Sequence, residues 1–124
     1  MSKKVYLYFI SDGNDHIKIG VTDSIDRRMK QLQTGNAQDL ELVHYVVLAS
    51  SRDAFELETL LHREMEEYNV KNEWYQKKPV MKLLQHNWIH IGNYKFRGLG
   101  YPLWKTVLSF AVAVATAVAI GFMK

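Results

Sequence analysis

The chain has 124 residues, enough for one compact domain with a short appendage, which excludes two full domains. It contains no cysteine, so disulfides and thiolate metal ligands are excluded. The formal net charge of +3 hides an asymmetry, because residues 1–67 carry eight Lys and Arg against twelve Asp and Glu, whereas residues 68–124 carry eight against one. Such a division indicates that the basic half meets nucleic acid or a membrane surface.

The N-terminal segment predicts a β-hairpin. Residues 4–11 are rich in β-branched and aromatic side chains, and in residues 16–22 apolar and polar side chains alternate. Between them lies a turn-forming cluster of aspartate, glycine and asparagine at residues 12–15. Two strand-like runs around such a turn indicate strands that pair directly in an antiparallel sheet.

Helices and one further strand are expected after the hairpin. Asp23 is the expected N-cap of the first helix, because its side chain can accept a hydrogen bond from a free amide of the first turn. The following elements are a third strand, a second helix and a third helix, at residues 40–49, 52–68 and 79–88. The predicted fold class is therefore α/β (α+β), a small three-stranded antiparallel sheet flanked by helices, within a domain of residues 1–88.

The C-terminal part predicts a linker and then a membrane anchor. Residues 89–104 contain three glycines and one proline and have no sustained period, which is typical of a linker. Residues 106–123 are uncharged, and as a helix they would span about 27 Å, close to the hydrocarbon thickness of a bilayer. We therefore expect a transmembrane helix at residues 105–123, a buried C-terminal core helix being the alternative.

The cations around the expected span predict its orientation and its partners. Seven Lys and Arg lie within residues 71–105, and only Lys124 follows the span. The positive-inside rule then places the N-terminal domain on the cytoplasmic side of a single-pass membrane protein, with membrane lipid as a partner. Aromatic residues interleave with these cations, a pattern that also suits single-stranded nucleic acid. Alanines at four-residue spacing in the span would permit a weak homodimer.

Residues of types that can take part in catalysis follow one another in a defined order through the N-terminal domain. It comprises a tyrosine, a Lys-Ile-Gly triplet, an arginine, a Leu-Glu-Thr-Leu-Leu-His stretch and a Glu-Trp-Tyr triplet, at Tyr6, residues 18–20, Arg28, residues 57–62 and residues 73–75. The set resembles the GIY-YIG nuclease superfamily, in the phage-type branch that has Lys-Ile-Gly where most members have Tyr-Ile-Gly. The resemblance covers about residues 4–76 of the chain.

The tyrosine and the arginine of this set each have a second residue of the same type nearby that competes for the same role. Eleven residues separate Tyr6 from Lys18, which suits the hairpin of the superfamily, whereas Tyr8 would leave nine. Arg28 follows the glycine of the triplet by eight positions and fits the arginine of the superfamily better than Arg27 does. Tyr6 and Arg28 are therefore the preferred candidates.

The resemblance implies phosphodiester hydrolysis with a divalent metal. The resemblance implies that Tyr6 acts as the base, that Arg28 holds the scissile phosphate and that Glu58 binds Mg²⁺ or Mn²⁺. Lys18 and His62 complete the implied catalytic set. An arginine suits phosphate because its fork binds two oxygens and stays charged, and one carboxylate is enough for an Mg²⁺ that keeps several waters.

Together with the expected anchor, the resemblance implies a membrane-anchored GIY-YIG-type endonuclease that acts on DNA. The alternative is a catalytically silent module that binds nucleic acid, or only another protein, and is tethered to the membrane. The acidic balance of residues 1–67 argues against strong nonspecific DNA affinity from that half of the chain.

Overall fold

The computed structural model describes residues 4–100. Its main strands and helices, in chain order, are β1 (Val5–Ser11), β2 (His16–Thr22), α1 (Ile25–Thr34), β3 (Glu41–Leu48), α2 (Ser51–Glu64), β4 (Asn69–Lys71), β5 (Trp74–Gln76), α3 (Lys77–Leu84), β6 (Trp88–Ile91) and β7 (Tyr94–Arg97). A short 3₁₀ helix, Glu66–Tyr68, lies between α2 and β4.

Five strands form an antiparallel sheet in the order β3-β1-β2-β5-β4, and β6 pairs with β7 in a separate hairpin. The predicted mixed α+β class is confirmed, and the three predicted strands are neighbours in the sheet. The sequence pattern does not predict β4 and β5, which have three residues each. Strands this short contain too few residues to establish a period of two, so the sheet is larger than the sequence indicates.

Strand β1 separates two apolar clusters, because successive side chains of a strand point to opposite faces. Leu7 and Phe9 belong to the larger cluster, which includes buried residues of α2, α3, β6 and β7. Tyr8 and Ile10 belong to the smaller cluster, against which the partly buried apolar residues of α1 pack. The sheet therefore has α1 on one face, with α2 and the C-terminal elements on the other.

Two helix boundaries differ from those predicted from the sequence. The N-cap of α1 is Ser24 rather than the predicted Asp23, because the Ser24 hydroxyl accepts a 3.2 Å hydrogen bond from the amide of Arg27. The third helix was expected to reach Trp88, but α3 ends at Leu84. Trp88 instead begins β6.

The expectation of a linker from residue 89 differs from the structure, which has the β6–β7 hairpin there. The side chains of Ile89, Ile91, Tyr94 and Phe96 are buried in the larger apolar cluster. Gly92, at the turn, has a φ of 60°, a conformation that suits glycine. Two four-residue strands around a glycine turn carry a weak pattern, and the glycines of this segment resemble those of a linker.

Among residues 4–100, no helix is long and apolar enough to cross a membrane. The predicted transmembrane helix at residues 105–123 lies outside the described residues, as do the last four residues of the predicted linker.

Candidate active site

A cluster of three potential metal ligands lies between α2 and the segment that joins β4 to β5. It consists of Glu58, His62 and Glu73, and one ligand atom from each lies within 4.8 Å of the others. Glu58 and His62 are one turn apart on α2 and so share a face of the helix. The Glu73 carbonyl accepts a 3.1 Å hydrogen bond from the amide of Ile19, which fixes this segment beside β2. We call these three residues the ligand cluster.

The imidazole of His62 is oriented by β5. A hydrogen bond joins its Nδ1 to the hydroxyl of Tyr75, and the two rings stack with centroids 5.4 Å apart. Its Nε2 is buried and has no hydrogen-bond partner among residues 4–100, although Glu58 Oε2 lies 3.6 Å away. Metal-binding histidines are commonly held through their second nitrogen in this way. A cation would give the buried Nε2 the partner it lacks, so the cluster fits a divalent ion.

Lys18 lies at the edge of the ligand cluster. Its Nζ is 3.1 Å from Glu73 Oε1 and 5.7 Å from the centroid of the Trp74 ring. This placement follows from the sheet, because Lys18 on β2 is paired with Trp74 on β5. The predicted catalytic lysine is therefore beside the cluster, where it neutralises part of its negative charge.

Tyr8 is a tyrosine of β1 that interacts electrostatically with Glu58 and Glu73 of the ligand cluster. It pairs across the strands with Gly20, and a side chain at position 20 would overlap its phenol, because an added Cβ would come under 3.0 Å from it. Burial raises the pKa of Tyr8 to about 12; the charge of Arg28 lowers this pKa, whereas the charges of Glu73 and Glu58 raise it. The glycine of the Lys-Ile-Gly triplet thus makes room for a buried tyrosine.

Tyr6, the tyrosine preferred from the sequence, precedes Tyr8 by two residues on the same face of β1. Its ring packs edge-on against Tyr45, with centroids 5.7 Å apart. It also lines a pocket of about 400 Å³ with Leu42 and the first residues of α1. Thr22 is its partner on β2, where Tyr8 has Gly20. The structure therefore places Tyr8, and not Tyr6, next to the glycine of the motif.

The two candidate arginines of α1 have different surroundings. Arg27 is exposed and forms an ion pair with Asp23. Arg28 is partly buried, acts electrostatically on Tyr8, and has a buried Nε without a hydrogen-bond partner in the described part of the chain. A guanidinium with an unsatisfied donor is suited to bind an anion such as a phosphate. The geometry therefore favours Arg28, as the sequence spacing does.

The sequence reasoning missed the site contributions of Tyr8, Glu73 and Tyr75. The Glu-Trp-Tyr triplet is recognisable in the sequence, yet its role depends on the pairing of β5 with β2, which links Lys18 to a residue 56 positions later. Spacing alone disfavours Tyr8. The signal that points to it is the single glycine of β2, which leaves room for a large side chain at the paired position of β1.

The comparisons with known proteins identify a domain family for most of the chain. The T5orf172 domain family matches residues 4–90, more than half of the chain. Neither the search of curated proteins nor that of solved structures returned a significant match. The matched range includes β1 to α3, the ligand cluster, Tyr8 and Arg28. The chain therefore belongs to the T5orf172 domain family, a phage-associated group of nuclease-like domains.

Proposed function

We propose that the chain is a GIY-YIG-type endonuclease that hydrolyses DNA phosphodiester bonds with a divalent metal. The observation that carries the proposal is the cluster of Glu58, His62 and Glu73, in which one ligand atom of each lies within 4.8 Å of the others. Within it the buried Nε2 of His62 lies 3.6 Å from Glu58 Oε2 and has no hydrogen-bond partner among residues 4–100. Membership of a nuclease-like family supports it, as does the unsatisfied donor of Arg28. The class of metal-assisted phosphoryl chemistry follows from these groups together.

In this proposal Glu58, His62 and Glu73 hold the ion. A divalent ion at such a site lowers the pKa of a bound water and stabilises negative charge on a phosphoryl oxygen. Two carboxylates with one imidazole suit Mn²⁺ better than Mg²⁺, because Mg²⁺ prefers ligands that are all oxygen. His62, expected from the resemblance to be catalytic, thus becomes a ligand beside the expected Glu58.

Arg28 binds the scissile phosphate, and Lys18 adds positive charge at the edge of the site. With a pKa of about 12, the Tyr8 hydroxyl is protonated at neutral pH and can serve as a hydrogen-bond donor to a bound phosphate. Base catalysis by Tyr8 requires a lower pKa, which is the direction in which nearby positive charge acts. Tyr6, the base expected from the resemblance, would have to act from its pocket beside Tyr45.

Plasmid nicking by the full-length chain in neutral detergent tests the proposal. We expect nicking with Mn²⁺, weaker nicking with Mg²⁺, and none with EDTA. Manganese binding measured by electron paramagnetic resonance should weaken in His62→Gln and in Glu73→Gln, independently of any activity. Failure of the wild-type chain to nick supercoiled, linear or branched DNA with either ion would refute the proposed catalysis.

A catalytically silent DNA-binding module is the second candidate function. The Lys18–Glu73 ion pair favours it, because Lys18 Nζ lies 3.1 Å from an oxygen that the ion would need. In a silent module the wild-type chain would bind no manganese and Lys18→Gln would expose the site, whereas in a nuclease the wild-type chain should already bind manganese. Manganese binding by the wild type therefore separates the two functions.

We also propose that residues 105–123 anchor the protein in a membrane, with the N-terminal domain on the cytoplasmic side. The support comes from the sequence, in which residues 106–123 are uncharged and seven Lys and Arg lie within residues 71–105. The full-length chain should resist carbonate extraction, and Val114→Asp should release it. Crosslinking in detergent would test the weak homodimer through this segment. Extraction of wild type and Val114→Asp alike would refute the anchor.

A further inference from the structure

The outer face of the β6–β7 hairpin carries cations around a tryptophan. We define the cationic hairpin face as Trp88, His90, Lys95 and Arg97, which alternate with the buried residues of the hairpin. Trp88 pairs with Arg97, and His90 with Lys95. Lys95 Nζ lies 4.7 Å from the centroid of the Trp88 ring, and Arg97 Cζ lies 5.6 Å from it. Both cations are thus held over one aromatic ring.

The positive charge of this face is not neutralised locally. No carboxylate of residues 4–100 forms an ion pair with Lys95 or Arg97, and residues 86–100 contain no Asp or Glu. The described part of the acidic half, residues 4–67, has seven Lys and Arg against twelve Asp and Glu, whereas residues 68–100 have six against one. Any attraction to a polyanion must therefore come mainly from the later segment.

The face is held firmly in the fold. The Arg97 carbonyl accepts a 2.8 Å hydrogen bond from Nε2 of the buried His44, and the Leu99 amide donates a 2.7 Å bond to the carbonyl of Leu84. On the inner side, Tyr94 donates a hydrogen bond to a carboxylate of α2. The match to the T5orf172 family ends at residue 90, within β6, so most of the hairpin lies beyond what the family accounts for.

We propose that the cationic hairpin face binds the phosphate backbone of DNA and supplies affinity that the acidic half lacks. The inference rests on the proposed function only in taking DNA as the substrate. Charge complementarity selects a phosphate surface, and the apolar side chains of the hairpin are buried, so this face has little apolar area to insert into a bilayer. The Trp88 ring is engaged by two cations and orients them, rather than stacking on a base.

The test measures binding to a fluorescent 30-base-pair duplex by anisotropy, with the full-length chain in neutral detergent and EDTA, between 50 and 200 mM salt. Each phosphate contact contributes about 0.9 to the slope of log K against log salt. The Lys95→Gln/Arg97→Gln variant should therefore lose about 2 from that slope, with similar losses for duplexes of different sequence. Trp88→Phe should weaken binding less and leave the slope nearly unchanged.

The matched control is Arg52→Gln/Arg63→Gln, which removes the same charge from exposed positions of α2 and should keep the wild-type slope. Thermal unfolding confirms that each variant is folded. A wild-type slope in the hairpin variant overturns the proposal, and so does the absence of DNA binding by the wild type. Loss of binding to phosphatidylserine vesicles with an unchanged DNA slope would also overturn it and identify lipid as the occupant. A reduced slope without any nicking supports the hairpin inference and refutes only the proposed catalysis.

Discussion

The two hairpins of this domain, β1–β2 and β6–β7, use their faces differently. The seven-residue strands of β1–β2 lie within the sheet, with neighbours on both sides and covering elements on both faces. The four-residue strands of β6–β7 bury one face and expose the other. Candidate chemistry lies beside the first hairpin, where groups are desolvated and held by packing. The second hairpin offers charges to the solvent, where a large polyanion can reach them.

Single substitutions in the candidate active site are the strongest test of this contrast. Glu58→Gln keeps the shape of the side chain but removes the charge that would hold a cation, and Arg28→Ala removes the phosphate clamp. Each should lower the nicking rate by about 10³-fold or more, measured as single-turnover cleavage of a plasmid. Glu64→Gln, at an exposed position of α2, is the control and should cleave like wild type. Unimpaired cleavage by Glu58→Gln would show that the site of cleavage does not lie beside the first hairpin.

The two tyrosines of β1 separate the sequence spacing from the geometry. Tyr8→Phe removes a hydroxyl that lies in the field of Arg28, Glu58 and Glu73, so cleavage should fall by about 10²- to 10³-fold. Tyr6→Phe should retain nearly full cleavage, because the Tyr6 side chain lines the pocket beside Tyr45. Manganese binding should be similar in both variants. A loss in Tyr6→Phe with normal cleavage by Tyr8→Phe would restore the assignment made from spacing.

The second hairpin should make the fold sensitive to acid through His44. Burial lowers the pKa of His44 to about 4, from the ordinary value of 6.5. The stability that depends on neutral His44 is therefore present above about pH 6.5 and is lost as the pH falls towards 4. The shift corresponds to about 3 kcal/mol of unfolding free energy at most. Urea denaturation between pH 4 and 7.5 measures this loss.

In the His44→Gln variant the acid-sensitive part of the unfolding free energy should disappear, because an amide can donate to the Arg97 carbonyl without titrating. The variant and the wild type are compared at each pH in the same buffer series. Parallel pH profiles for the two proteins would mean that other groups set the acid sensitivity.

Packing around Gly20 should give the smallest effect. Gly20→Ala brings a methyl group against the Tyr8 phenol and should cost about 1–3 kcal/mol of unfolding free energy. Gly35→Ala is the matched control, because an added Cβ there meets no atom within 4 Å. Chemical denaturation of both variants gives the comparison. If Gly20→Ala were as stable as Gly35→Ala, Tyr8 would not be fixed by this glycine.

The sequence predicts the parts of the fold in which local pattern and final environment agree. Residues 4–11 and 16–22 have strand composition around a strong turn, and they form β1 and β2. The mixed class, three adjacent strands and the approximate positions of α1 and α2 follow in the same way. The short strands β4 to β7 could not be predicted, because three or four residues are too few to establish a period of two. In addition, β5 joins the sheet by pairing with β2, which is distant in sequence.

The residues of the candidate site also differ in whether local sequence pattern is enough to predict them. Arg28 could be chosen by spacing, since a helix fixes the direction of its side chains over a few residues. Tyr8 could not be distinguished from Tyr6, because both point to the same face of β1 and only the partner on β2 differs. Glu73 and Tyr75 join the site through pairing of β5 with β2, which no local pattern encodes.

The shortness of β4 and β5 has a consequence for motion. These strands form one edge of the sheet, and β4 is exposed along its whole length, so this edge is the easiest part of the sheet to open locally. Such opening would carry Glu73 and Tyr75 away from α2 while Glu58 and His62 stay on their helix. A cation bound to all three ligands would therefore close the edge, and amide hydrogen exchange at Trp74 and Tyr75 would slow as its concentration rises.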